Sequence, residues 1–163
     1  MTAERYARIS APWRTRRRTA LLNGLNKATT GIFYLSYPAL AAVLLFQRNP
    51  RVLRGILVPG LSFVLVSLYR SVRDEKRPYE VLDIHPLIHK DTRGHSFPSR
   101  HVFSAFVIAM TFLWIYSPAG APLLALGMVT ALCRVLGGIH WPRDVIAGAL
   151  LGTAAGLIGY WLF

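Results

Sequence analysis

Five apolar runs constrain the fold of this 163-residue chain more than any other feature. They cover residues 28–46, 52–69, 102–117, 122–139 and 145–163. Each run is close to the ~20 residues that a helix needs to cross a bilayer. Because backbone polar groups must find partners within the membrane, such runs predict helices. We therefore expect an all-α, polytopic membrane bundle of about five transmembrane helices, with a long polar connection before the third.

The composition agrees with this interpretation. Hydrophobic residues make up 53% of the chain and charged residues 16%, which is too apolar for an ordinary soluble domain. The length predicts one folded domain. We divide the chain into a basic juxtamembrane segment, residues 1–27, and a membrane domain, residues 28–163. A signal peptide is disfavoured, because the apolar run after the basic start is long and lacks a small-residue cleavage site.

The net charge of +12 is unevenly distributed along the chain. Residues 1–19 contain six arginines, whereas residues 145–163 carry no charge. Nucleic-acid binding would place such charge on a polar, soluble domain, so we expect no nucleic-acid partner. Anionic lipid headgroups fit a basic segment beside membrane spans. The single Cys133 excludes an internal disulfide bond.

A first polar cluster occupies residues 70–78, directly after the second apolar run. It contains Arg70 and Arg77, and the planar guanidinium group makes paired, charge-assisted hydrogen bonds to phosphate oxygens. This cluster predicts phosphate capture. The alternative is a basic loop that only contacts lipid headgroups.

A second cluster, residues 98–101, precedes the third apolar run. Pro98 is suited to the first turn of a helix, where free backbone N–H groups bind anions. Ser99 adds a hydroxyl donor, and the near-neutral pKa of an unperturbed histidine suits His101 for a general acid. The alternative is an interfacial helix start with a solvated histidine.

A third cluster combines Arg134, His140 and Asp144. A lone cation near the end of an apolar span needs a partner. Asp144 follows His140 by four residues, so its carboxylate can hold one ring nitrogen and leave the other free as a base or nucleophile. The alternative for Asp144 is a helix cap after Trp141 and Pro142.

Together the three clusters resemble the signature motifs of the type 2 phosphatidic acid phosphatase family, which shares its core with vanadium haloperoxidases. That family has Lys-x6-Arg-Pro, Pro-Ser-Gly-His and Ser-Arg-x5-His-x3-Asp, in this order. The corresponding residues here are Arg70-x6-Arg77-Pro78, Pro98-Ser99-Arg100-His101 and Cys133-Arg134-x5-His140-x3-Asp144.

The resemblance implies a role for each matching residue. His140 would take the phosphoryl group and form a phosphohistidine, Asp144 would hold and polarise His140, and His101 would protonate the leaving oxygen. The phosphate-binding set would be Arg70, Arg77, Arg134, Ser99 and the backbone N–H of Arg100. No metal and no cofactor are implied, because fixed cations neutralise the phosphate.

Three positions depart from the family pattern. Arg70 replaces lysine, which keeps the charge but changes its reach. Arg100 replaces glycine, so a bulky cation enters beside the pocket, where it would bind the remote headgroup or narrow the entrance. Cys133 replaces serine, which would weaken one hydrogen bond to phosphate. The family's membrane members typically have six spans, and we predict five.

We therefore expect an integral membrane phosphatase that hydrolyses a lipid phosphate or diphosphate: phosphatidate, phosphatidylglycerophosphate or polyprenyl diphosphate. Its partners would be that substrate and the surrounding lipids of a bacterial cell membrane. The alternatives are a lipid phosphotransferase with the same core and a non-catalytic lipid-binding membrane protein. The motifs carry no information on oligomeric state.

Two further interpretations concern sidedness and metals. Five spans put the basic N-terminus and the site on one side, and the positive-inside rule makes that side cytoplasmic, although family members usually work on the outer face.

The long connection also contains His85, His89, Asp91 and His95. Their spacing matches no common metal motif, so a loop or headgroup role is the simpler interpretation.

Overall fold

The computed structural model describes residues 1–162, and this part of the chain is helical without any strand. The seven α-helices are α1 Ala3–Ser10, α2 Arg16–Phe46, α3 Arg51–Arg73, α4 Pro78–Val81, α5 Arg100–Ile115, α6 Ser117–Leu136 and α7 Pro142–Leu157. A 3₁₀ turn, Ala11–Trp13, follows α1, and a π-helical segment, Ile158–Leu162, extends α7. The predicted all-α class is confirmed.

Five of these helices form the predicted membrane bundle. The helices α2, α3, α6 and α7 with its extension are long and apolar enough to cross a membrane. The fifth, α5, is a shorter apolar helix of 16 residues, which span about 24 Å at ~1.5 Å per residue. The protein is an integral membrane protein.

The boundaries differ from the prediction in two places. The third apolar run ends at residue 117 and the fourth begins at residue 122, but α6 already starts at Ser117, and only Tyr116 separates α5 from α6. The predicted boundary between residues 27 and 28 falls inside α2, because the helix starts at Arg16. Phe163, the last residue of the predicted fifth span, lies outside the described residues.

The centre of the bundle is α5. Its buried side chains cover its whole circumference, and it packs against α2, α3, α6 and α7. A helix that is apolar on all sides belongs in the interior of a bundle. By contrast, α2 and α3 expose large apolar side chains, such as Leu35, Phe46 and Leu65, which suits contact with lipid.

Small residues bring α7 close to α5. Gly148 and Gly152 are buried on α7. A Cβ atom would lie 2.7 Å from the Ser99 carbonyl oxygen at Gly148, and 2.5 Å from the Phe103 carbonyl oxygen at Gly152. Because these neighbours are backbone atoms, they cannot move aside as a flexible side chain would. The glycines therefore fix how closely the N-terminal ends of α5 and α7 approach each other.

The N-terminal segment packs onto the same end of the bundle as the long connection. The Tyr6 side chain of α1 is fully buried, and its hydroxyl donates to the Leu136 carbonyl oxygen at 3.3 Å. Gly138 has a φ of +76°, and a Cβ atom there would lie 2.7 Å from the Tyr6 hydroxyl oxygen. Arg14 Nη2 donates to the His85 carbonyl oxygen at 3.1 Å. The basic N-terminus, the 82–99 loop and the α6–α7 loop thus share one end.

The close contact at Gly152 predicts that one added methyl group lowers stability there but not at a glycine with open space around it. Gly152→Ala should destabilise the protein by about 1–3 kcal/mol, because the new Cβ overlaps backbone of α5. Gly31→Ala in α2 is the matched control, since no atom lies within 4 Å of its Cβ position. It should be neutral or stabilise the helix by up to ~1 kcal/mol. Thermal unfolding in detergent measures both, and equal shifts would contradict the packing described here.

Candidate active site

A cationic cavity of about 270 Å³ lies at the end of the bundle that holds the long connection. It brings together five of the residues that the sequence singled out: Arg70, Arg77, Arg100, His101 and His140. These residues come from α3, the start of α4, the start of α5 and the α6–α7 loop. Side chains up to 70 positions apart in the sequence therefore border one space.

His140 and Asp144 form a buried pair beside this cavity. Both side chains are at most 1% exposed, and His140 Nδ1 lies 3.4 Å from Asp144 Oδ2. A third buried residue, Ser96, donates its hydroxyl to the same Asp144 Oδ2 at 2.5 Å. Ser96 lies two residues before Pro98, outside the three clusters recognised in the sequence.

The neighbours of His140 define its tautomer. Asp144 accepts a hydrogen bond, so the proton of the imidazole lies on Nδ1 and Nε2 carries the lone pair. Arg77 Nη1 lies 3.3 Å from Nε2, which is the contact that a guanidinium donor makes with a lone pair. Burial lowers the pKa of His140, while the Asp144 carboxylate opposes this shift. The free site thus holds a neutral imidazole whose Nε2 lone pair faces Arg77 at the cavity.

Asp144 also serves as a helix cap. The Trp141 N–H donates to Asp144 Oδ2 at 3.0 Å, across the first turn of α7. In addition, the Asp144 carbonyl oxygen accepts from the Ser99 N–H at 2.8 Å. Asp144 can therefore cap α7 and hold His140 at the same time, because the same carboxylate oxygen contacts the backbone of the turn and the imidazole.

Backbone carbonyls hold Arg70 at the cavity wall. The Arg70 guanidinium group donates to the carbonyl oxygens of His95, Ser96 and Pro98. These acceptors lie on the stretch that leads into α5. Arg70 therefore attaches the end of α3 to the segment that carries Ser99 and His101.

Arg77 is held in a similar way by two other segments. Its Nε donates to the Gly94 carbonyl oxygen at 3.0 Å, and its Nη1 donates to the Ile139 carbonyl oxygen at 3.1 Å. Glu80 Oε2 accepts from the Arg77 N–H at 2.8 Å and from the Gly94 N–H at 2.9 Å. The guanidinium group thus has a fixed orientation towards His140.

Ser99 and Arg134 border the site without lining the cationic cavity. Ser99 is the N-cap residue of α5, and its buried hydroxyl has no hydrogen-bond partner within residues 1–162. The sequence had suggested that Pro98 occupies the first turn of the helix, but Pro98 precedes the helix. Arg134 is buried, with its Nη2 donating to Thr30 Oγ1 at 3.2 Å and its Nε unpartnered in the described chain. The Arg134 carbonyl oxygen accepts from the His140 N–H at 3.2 Å.

Lys90 is a cation of the cavity that sequence analysis missed. Burial, followed by the charges of Arg77, Arg134, Arg70 and Arg100, lowers the pKa of Lys90 to about 8. Lys90 lies in the long connection outside the three clusters, and no spacing pattern connects it with them. Only the folded loop reveals its position.

A second, apolar cavity of about 330 Å³ adjoins the cationic cavity. Aromatic and proline side chains of α2 and α3 form much of its wall, including Phe33, Tyr37 and Phe63. Arg100 and His101 line both cavities. The two spaces therefore meet at the first turn of α5.

The histidines and Asp91 of the long connection do not converge on one point. His89 pairs with Asp91 at 2.8 Å on the surface, where both side chains are 87% exposed. His95 pairs with Asp74 at 3.2 Å. Within the described part of the chain, no three His, Cys, Asp or Glu side chains are grouped as metal ligands.

Curated proteins resemble this chain in sequence. An undecaprenyl-diphosphatase of Sulfolobus acidocaldarius is 30% identical over 139 residues, which cover 82% of this chain and 67% of that protein. The chain spans between 54% and 67% of the length of the first curated relatives that it matches.

Solved structures share its fold. The crystal structure of Aquifex aeolicus LpxE superposes with a TM-score of 0.75 at 26% identity, covering 97% of this chain and 93% of that one. A transmembrane PAP2-type phosphatidylglycerolphosphate phosphatase from Bacillus subtilis gives a TM-score of 0.63 at 20% identity, covering 94% and 90%, respectively. The family described as the PAP2 superfamily matches residues 51–163, the stretch that contains all three clusters. The chain belongs to the PAP2 superfamily.

Proposed function

We propose that this protein is a membrane phosphatase that hydrolyses a lipid phosphate or diphosphate through a phosphohistidine. The observation that carries the proposal is the position of His140. Its neutral imidazole borders a cavity lined by cations, and this cavity meets an apolar one inside a membrane bundle. The named activities of the relatives, such as undecaprenyl-diphosphatase, agree with this function.

The two cavities suit the two parts of a lipid phosphate. The phosphate would bind in the cationic cavity, where Arg70 and Arg77 donate charge-assisted hydrogen bonds. The acyl or prenyl chain would begin in the apolar cavity between α2, α3 and α5. His101 borders both spaces, so it would meet the oxygen that joins the phosphate to the lipid.

In the first step, the Nε2 lone pair of His140 forms a bond to phosphorus while the bond to the leaving oxygen breaks. The electron pair of the broken bond stays on that oxygen, which takes a proton from the imidazolium of His101. The bound phosphate supplies the negative charge that favours a protonated His101 among the cations. His140 then carries the phosphoryl group on Nε2, and Asp144 stabilises the positive ring.

In the second step, a water oxygen bonds to phosphorus while the bond between phosphorus and Nε2 breaks. The electron pair of that bond returns to His140. His101, now neutral, takes the proton that the water loses and regains its charge. Inorganic phosphate leaves, and the site returns to its starting state.

Fixed side chains would stabilise the charge of the transferred group in both steps. Besides Arg70 and Arg77, we assign phosphate contacts to Arg134, to the unpartnered Ser99 hydroxyl and to the free N–H groups of the first α5 turn. Donors that are already oriented need no rearrangement when the transition state forms. The fixed position of Arg77 on the Gly94 and Ile139 carbonyls fits this requirement.

Removing the nucleophile provides the main test. His140→Ala should lower phosphate release from phosphatidate, phosphatidylglycerophosphate and polyprenyl diphosphate by about a thousandfold or more. The matched control is His89→Ala, which removes an exposed imidazole of the long connection and should keep wild-type rates. A phosphate-release panel in mixed micelles measures both variants. If wild type releases no phosphate from any of the three lipids, or if His140→Ala keeps its activity, the proposal fails.

The same assay can identify a transferase. A lipid phosphotransferase would pass the phosphoryl group from His140 to an acceptor lipid instead of water. Labelled donor lipid with an excess of unlabelled acceptor therefore separates the two activities by product. A non-catalytic lipid-binding protein would form neither product.

Ser96 should act as a positioning residue for the His140–Asp144 pair. A hydrogen bond to a charged group contributes about 1.5–3 kcal/mol, so Ser96→Ala should lower kcat about tenfold to a hundredfold with little change in KM. Without this donor, Asp144 favours the imidazolium form more strongly, so the pKa of His140 rises and the acidic limb of the kcat/KM profile moves to higher pH. Ser117→Ala, at the start of α6, is the control. An unchanged pH profile in Ser96→Ala would contradict this role.

We also propose that the site faces the cytoplasm. The six arginines of residues 1–19 support this, because α1 packs at the same end as the site and basic segments favour the cytoplasmic side. A cysteine at Lys76, near the site, should react with a membrane-impermeant maleimide in inside-out vesicles but not in intact cells. A cysteine at Gln47, in the α2–α3 turn, should show the reverse. Cys133 is buried, so its background labelling should be small. The opposite labelling pattern would place the site outside.

A further inference from the structure

We propose that Lys90 and Arg100 form a second anion subsite in the cationic cavity, which binds the non-transferred phosphate of a diphosphate lipid. This inference rests on the proposed function and narrows its substrate class. It concerns Arg100, which the sequence had placed beside the pocket, and Lys90, whose position there becomes visible only in the folded chain.

The charge of the cavity exceeds what one phosphate group neutralises. Five cationic side chains line it, and its lining within the described chain contains no Asp or Glu: Arg70, Arg77, Lys90, Arg93 and Arg100. A phosphate monoester group carries about −1.5 to −2 charges at neutral pH. A second phosphate adds negative charge and would neutralise the cations that the first leaves unpaired.

The cations of the cavity differ in what they already contact. Arg70 and Arg77 donate to backbone carbonyl oxygens, which fixes their positions. Lys90, Arg93 and Arg100 make no side-chain hydrogen bond or ion pair with the described residues 1–162. Of these, Arg93 is exposed and borders only the cationic cavity. Because Lys90 is partly buried among four arginines, its ammonium group is incompletely hydrated, and it pairs with no acidic side chain of the described residues. An anion at this position would supply the missing partner.

Arg100 lies where the second phosphate of such a substrate would be. It borders both cavities, and its guanidinium carbon lies 5.5 Å from the centre of the Phe63 ring. It also directly precedes His101, the proposed acid for the leaving oxygen. In a diphosphate lipid, the leaving group begins with the lipid-linked phosphate, between the transferred phosphate and the chain. Arg100 is therefore on the side where that phosphate departs.

The test compares two substrates with the same chain, farnesyl diphosphate and farnesyl monophosphate, in the same micelles. Lys90→Gln and Arg100→Gln should each lower kcat/KM for the diphosphate about tenfold to a hundredfold, the range expected for one charge-assisted hydrogen bond. Monophosphate hydrolysis should change less than about threefold. Lys76→Gln and Arg73→Gln are matched controls, because both remove an exposed cation outside the cavity lining. They should leave the ratio of the two rates unchanged.

Any other outcome of this comparison would contradict the proposed subsite. If both substrates lose the same factor, the two residues belong to the phosphate-transfer site. If neither substrate is affected, they do not contact the substrate. Thermal unfolding of each variant in detergent shows whether a loss of rate reflects misfolding. A double variant, Lys90→Arg with Arg100→Lys, keeps both charges and should retain most of the diphosphate preference.

Binding gives a second measurement that does not depend on turnover. Wild type should bind methylenediphosphonate more tightly than methylphosphonate, and the preference should fall in Lys90→Gln and Arg100→Gln. If wild type hydrolyses neither farnesyl substrate but shows this preference, the proposed function fails and the subsite stands. If wild type hydrolyses the monophosphate and shows no preference for the diphosphonate, the subsite fails and the proposed function stands.

Discussion

The buried carboxylate of Asp144 is the contact on which the candidate site depends. A charge that is fully removed from water is costly unless hydrogen bonds compensate for it. Asp144 Oδ2 accepts from Ser96 and from the Trp141 N–H and contacts His140, so the loop before α5, the first turn of α7 and the imidazole share one acceptor. The close approach of the two helices at Gly148 brings these groups within reach of one another. Loss of this carboxylate would therefore disturb structure and chemistry together.

The cationic cavity poses the opposite electrostatic problem. Like charges that share a space repel one another, and the membrane boundary weakens the screening by water. The fold reduces this repulsion with backbone dipoles, since carbonyl oxygens of the 94–98 stretch surround the guanidinium groups of Arg70 and Arg77. The same carbonyls restrict the rotation of both side chains. Under the proposed function, a phosphate would meet donors whose orientation is already set, so its binding would not need to order them.

Much of this arrangement could be predicted from the sequence, because its strongest signals are physical ones. Runs of about 20 apolar residues predict membrane helices, and cations at the ends of such runs need an anion or a partner. The residues that escaped prediction act through contacts between distant segments. Ser96, Glu80 and Lys90 have ordinary loop surroundings in the sequence, and only the path of the loop brings them to Asp144, Gly94 and the cavity. The helical start of α6 was missed for a local reason, since its proline and glycine residues are typical of a turn.

The Tyr6 contact has a consequence for how the chain can be altered. This side chain lies against Gly138, two positions before the histidine at the cavity, and its hydroxyl binds the Leu136 carbonyl oxygen where α6 ends. The first ten residues are thus part of the wall behind the loop that carries His140, although they precede every membrane helix. Trimming them to aid purification, or fusing a folded partner directly to α1, would remove or displace that wall. An attachment point at the opposite end of the bundle, in the α2–α3 turn, avoids this disturbance.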